Sequence, residues 1–104
     1  MSDQDRESLE AIVALMRAGH VAEASLRCRA VIVRQPDNAP AHTLLGVSCR
    51  LQGKLAEAAS SFAQAIALDG KDITALNELG NIRWQEGRIE EAAALYQRVL
   101  VAQP

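Results

Sequence analysis

The chain has 104 residues, 49% of them hydrophobic and 23% charged, with 11 basic and 13 acidic side chains and a formal net charge of −2. That composition describes one domain with a modest apolar core rather than a disordered tail, and it lacks the strong positive field that nucleic acid or anionic lipid requires. Three scattered aromatics, Phe62, Trp84 and Tyr96, are too few for a base-stacking surface, and the longest apolar run, Ala11 to Met16, falls far short of the roughly 18 residues of a membrane span.

From the start of the chain, Met1-Ser2-Asp3-Gln4-Asp5 is acidic and polar where a secretory signal is basic and then apolar, so a cytoplasmic location is expected. Leu9, Ile12, Val13 and Met16 recur at three- and four-residue steps and predict a first amphipathic helix. Gly19 suits the left-handed residue that ends it. A second helix follows, with Val21, Ala24, Cys28, Val31 and Ile32 facing inward and Arg27, Arg29 and Arg34 outward. Pro36 closes it, because proline cannot continue a helix interior. Asn38 is a predicted N-cap for the third helix, whose first turn tolerates Pro40.

From there the chain repeats. Gly19, Gly53 and Gly87 share one 34-residue column; Glu23, Glu57 and Glu91 a second; Ala24, Ala58 and Ala92 a third; Val21, Leu55 and Ile89 an apolar fourth. Leu45 aligns with Leu79, Gly46 with Gly80, and Phe62 with Tyr96. A fixed period of this size is the mark of a repeat architecture, here of units 5–38, 39–72 and 73–104 in a single domain 1–104. Gly70 and Pro104 stop the later second helices, and Asp72 is the next predicted N-cap. Gly46 and Gly80 are expected to admit Ala58 and Ala92 from the facing helix, with Phe62 and Tyr96 filling the adjoining space. The first unit has Ala11-Ile12 where the others have Leu-Gly, an exchange that conserves volume.

Chemistry is sparse. Cys28 and Cys49 have neither metal-ligand spacing nor a disulfide framework around them and read as small buried hydrophobes. His20 falls in a turn and His42 in a core column, with no companion ligands. Ser48, Ser60 and Ser61 lack a nucleophile context, so no catalytic residue, metal or cofactor is expected. Arginine outnumbers lysine nine to two, the usage of a GC-rich bacterial genome.

The middle unit carries Leu45-Gly46, Gly53, Leu55, Glu57-Ala58, Phe62 and Ala65, and the last carries Leu79-Gly80, Gly87, Ile89, Glu91-Ala92, Tyr96 and Pro104. In these residues the chain resembles an array of three tetratricopeptide repeats, although the signature tryptophan or leucine column holds Ser8, His42 and Leu76. The resemblance implies an all-α, right-handed superhelix of three antiparallel helix hairpins, whose first helices line a concave groove for a peptide or partner helix. It implies no catalysis.

Carried over column by column, the groove takes Arg6, Leu9, Glu10, Val13, Met16 and Arg17 from the first unit, and Pro40, Thr43, Leu44, Val47, Arg50 and Leu51 from the second. The third supplies Thr74, Asn77, Glu78, Asn81, Trp84 and Gln85. Members of the family that clamp a C-terminal carboxylate use lysine, asparagine and arginine in columns that here hold Leu9, Val13, Leu44, Thr74 and Glu78, so a protein or peptide with apolar side chains is expected instead. Asn77 and Asn81 are placed to hydrogen-bond an extended peptide, and Trp84 to anchor one. Repeat arrays usually end in a polar cap; here Ala93, Tyr96, Leu100 and Val101 are expected to form an exposed apolar strip. Three explanations stand open: an N-terminal fragment of a longer protein such as an enzyme with a regulatory front end, a homo-oligomer joined through this face, or a face kept for a partner.

Overall fold

The computed structural model describes residues 3–103; Pro104, expected to close the last helix, lies outside them. Six helices follow one another: α1 Asp3–Arg17, α2 Val21–Arg34, α3 Ala39–Leu51, α4 Leu55–Leu68, α5 Ile73–Gln85 and α6 Ile89–Ala102. No strand occurs among the described residues, and no helix there is long and apolar enough to cross a membrane.

The glycine column makes the turn inside each hairpin. Gly53 has φ +78°, which a side chain bearing Cβ adopts only with strain. Its N–H donates to the Arg50 carbonyl at 2.9 Å and the Lys54 N–H to the Cys49 carbonyl at 2.9 Å, the paired bonds of a Schellman ending. The same two bonds recur at Gly19 and Gly87. The turns between hairpins are set by caps instead. Asn38 Oδ1 accepts from the Ala41 N–H at 3.1 Å, and Asp72 Oδ1 from the Ala75 N–H at 3.0 Å, so both predicted N-caps form. Gly70 follows α4 rather than stopping it, since α4 ends at Leu68 with Asp69 as its C-cap.

Each helix packs on the next, and α3 also contacts both α1 and α5, whereas α2, α4 and α6 do not form such pairs. The first helices of the hairpins therefore line the inside of the curve and the second helices its outside, the arrangement of an all-α repeat solenoid. The core that binds the three hairpins includes Ile12, Cys28, Leu45, Phe62, Leu76 and Ile82, all buried.

The nearest occupants of the space in front of Gly46 and Gly80 are the aromatic rings: a Cβ on Gly46 would lie 2.6 Å from the Phe62 ring, and one on Gly80 2.6 Å from the Tyr96 ring. Ala58 and Ala92 are fully buried beside them. In the first hairpin the corresponding positions are Ile12 and Cys28, both at 0% exposure, so the large side chain sits on the first helix and the small one on the second. Cys28 and Cys49 are free and buried, as expected of small hydrophobes. Burial pushes the Cys28 thiol up to about 12 and the Cys49 thiol upward as well.

Candidate functional site

The concave side holds an open groove of about 560 Å³. One wall is α1, through Arg6, Leu9, Glu10, Val13, Ala14 and Arg17; the floor is α3, through Pro40, Thr43 and Leu44; and Asp72 and Thr74 close it at the start of α5. On α1 the spacing of positions 6, 10, 13 and 17 keeps four lining residues on one helical face. Leu9, Val13 and Leu44 are half-buried, so each leaves part of an apolar side chain open to the cavity.

Behind this apolar centre the walls are held by polar contacts between hairpins. The Thr43 hydroxyl donates to the Asp72 carboxylate at 2.5 Å, tying the α3 floor to the cap of α5. Arg50 donates through Nε to the Glu78 carboxylate, joining α3 to α5 further along. Thr43 is thus buried and bonded while it still lines the groove.

The sequence-predicted residues divide accordingly. Leu9, Val13, Thr43 and Leu44 come together at the groove, with Arg6, Glu10, Arg17, Pro40 and Thr74. Met16 and Val47 do not line it; both are half-buried and pack against the core cluster. Arg50 is engaged by Glu78, so its guanidinium is not an unpaired ligand group. On α5, Asn77 and Trp84 are exposed, Trp84 at 58%. Asn81 is exposed too, but its Oδ1 accepts from the Tyr96 hydroxyl at 2.6 Å, which leaves its amide N–H₂ for other partners.

That bond also corrects the reading of the last helix. Tyr96 is half-buried inside the third hairpin, ring on Gly80 and hydroxyl on Asn81, and does not belong to the outer strip. Ala93, Leu100 and Val101 are exposed, the last two at 65% and 75%. Ala14 and Asp72 were missed by sequence reasoning. Ala14 was legible, one helical turn beyond Glu10; Asp72 was read only as a cap, and its reach into the groove depends on how α5 sits beside α3.

Among the described residues no group of His, Cys, Asp and Glu could hold a metal ion. His42 Nε2 lies 2.9 Å from the Pro36 carbonyl, and His20 is exposed at the first turn. Arg27 pairs with Glu23 at 3.3 Å and Arg29 with Glu57 at 3.4 Å, so these two arginines of α2 belong to a solvated, ion-paired face.

With this geometry in view, known proteins give it a family. A family described as tetratricopeptide repeat matches residues 9–73, and a second of the same description matches residues 50–104. The chain belongs to the tetratricopeptide repeat family. It is 31% identical over 99 residues to the probable UDP-N-acetylglucosamine--peptide N-acetylglucosaminyltransferase SPINDLY of Arabidopsis thaliana, a match that covers 95% of this chain and 11% of that protein. The chain thus spans about a tenth of that relative's length. Among solved structures, the P58(IPK) TPR domain superposes with a TM-score of 0.92 at 26% identity, covering 97% of this chain and 28% of that one. The first TPR of Spaghetti (RPAP3), bound to HSP90 peptide SRMEEVD, superposes with a TM-score of 0.90 at 25% identity, covering 100% of this chain and 82% of that one.

Proposed function

We propose that this chain is a protein-interaction module whose concave groove takes the apolar side chains of a peptide or partner helix. The observation that carries the reading is the open cavity lined by half-buried Leu9, Val13 and Leu44. Its volume of about 560 Å³ falls within the roughly 300–1,000 Å³ of ligand sites that are mostly apolar with a few placed polar groups. Arg6, Glu10 and Arg17 supply such groups on the α1 wall and Thr74 on the other. A relative in fold, the Spaghetti repeat domain, carries a bound peptide, which supports a peptide-sized ligand for this one. The columns that clamp a carboxylate in some members of the family hold Leu9, Val13, Leu44, Thr74 and Glu78 here, which favours apolar contact over a carboxylate grip. Asn77, Asn81 and Trp84 extend the site along α5, where exposed Trp84 serves as a hydrophobic anchor.

The experiment is selection of a random peptide library on the wild-type chain and on the Val13→Asp variant. Recovered peptides rich in apolar residues that lose affinity for the variant, with helical content unchanged, would bear the reading out. Peptides that bind both proteins equally would refute it.

The exposure of Leu100 and Val101 supports a second reading, in which the outer face of α6 joins another copy or a larger assembly. A plant glycosyltransferase among the relatives gives that larger assembly one form, a repeat region attached to an enzyme. Loss of self-association in Leu100→Glu, with folding intact, is its test.

A further inference from the structure

The outward faces of α2, α4 and α6 occupy the same columns of the repeat, so each is a control for the others. On α4 the solvent-facing positions are Ser60 and Ala67, both exposed. Shifted by one repeat, the same positions on α2 hold Leu26 and Val33, at 68% and 82% exposure. They lie seven residues apart and so share one face, with exposed Ala30 between them. Neither fills a core position and neither wall of the concave groove includes them. At these two columns α4 carries no large apolar residue and α6 only Val101, whereas α2 displays two in one stripe.

We infer that this stripe is the contact between two copies of the chain, related by a two-fold axis and packed α2 against α2 in antiparallel sense. The charges beside the stripe select that occupant. Glu23 at the start of α2 and Arg34 at its end flank the stripe on the same side. In an antiparallel two-fold pair, Leu26 meets Val33 of the partner copy and Glu23 meets the partner copy's Arg34, twice over. The midpoint of Leu26 and Val33 and that of Glu23 and Arg34 coincide to within one residue, about 1.5 Å along the helix, so one register satisfies both pairings. Glu23 already pairs with Arg27 on its own helix, a half-exposed contact of small value, and the second arginine would join it. On the opposite flank Arg29 is held by Glu57 of α4. Ala30 at the centre lets the two backbones approach.

One helix pair buries less than the roughly 1,200–2,000 Å² of a stable complex, so the association is expected to be weak and concentration-dependent. The test is sedimentation equilibrium of the whole chain at low salt, from micromolar to millimolar. The average mass should rise toward twice the 11.2 kDa of one chain, and Leu26→Asp should hold it at one chain. Because Leu26 is exposed, circular dichroism of that variant should match the wild type. Glu23→Arg and Arg34→Glu should each weaken association, and the two together should restore it. A constant mass of one chain up to millimolar would overturn the inference. So would a dimer that survives Leu26→Asp, or a double charge exchange no better than either single one.

Discussion

The first and second hairpins meet the same packing demand in opposite ways. In the second, Gly46 on the inner helix leaves room for the Phe62 ring from the outer one; in the first, Ile12 on the inner helix fills the space and Cys28 opposite stays small. All three side chains are fully buried, so both solutions close the core. The third hairpin repeats the second with Gly80 and Tyr96, but its ring is half-exposed and its hydroxyl reaches Asn81 of α5. What the repeat holds constant is the summed volume at a helix crossing, not the identity of either residue. This accords with cores that tolerate exchanges conserving total volume.

Transplanting one solution into the other would break or sharpen that account. Phe62→Cys alone should empty the second hairpin and cost on the order of 3–4 kcal/mol, as large-to-small core changes do. Gly46→Ile alone should be at least as damaging, because its Cβ already lies 2.6 Å from the ring. The double variant Gly46→Ile with Phe62→Cys rebuilds the pair of the first hairpin. Urea unfolding should find it more stable than either single variant; costs that simply add would contradict volume compensation.

A smaller effect separates the second hairpin from the third. Gly46→Ala meets a fully buried Phe62 and should destabilise by about 1–2 kcal/mol, even after the roughly 1 kcal/mol that alanine gains over glycine in a helix. Gly80→Ala meets Tyr96, which can swing toward solvent, and should be close to neutral by the same measurement.

Titration distinguishes the first hairpin. Its small partner is a thiol that burial pushes up to about 12, above the value of 9.0 for a free cysteine. The folded state thus favours the neutral thiol. That stabilisation is fully present below pH 9 and is lost as pH rises from there through about 12. Denaturation midpoints measured across that range should fall less steeply in Cys28→Ala than in the wild type, and Cys28 should react with thiol reagents at pH 8 only at the rate of unfolding. A modest effect lies at the turn between the first two hairpins: Asn38→Ala should cost about 1 kcal/mol of helix capping, and Asp72→Ala should cost more, because it also removes the acceptor of the Thr43 hydroxyl.

Much of this was legible in the sequence because the period is written in small residues. Glycine at 19, 53 and 87 is forced by positive φ, and the caps at Asn38 and Asp72 are local, within three residues of what they bind. The apolar centre of the groove was legible through the family resemblance, which carries Leu9, Val13 and Leu44 to the inner columns where they line the cavity. The contacts between hairpins were not. Arg50 with Glu78 and Thr43 with Asp72 are 28 and 29 residues apart, and their meeting depends on the tilt of one hairpin on the next. That the ring lies nearest each glycine was not legible for a related reason: Phe62 lies one turn beyond Ala58 on the same helix, and the crossing angle decides which of them comes closest to Gly46.

The functional reading rests on the groove, and the most direct measurement is a map of backbone amide shifts as a selected peptide is added to the labelled chain. The account predicts shifts centred on Leu9, Val13 and Leu44, spreading to Asn77 and Trp84. Shifts confined to the outer faces of α2 or α6, with the groove unmoved, would contradict it.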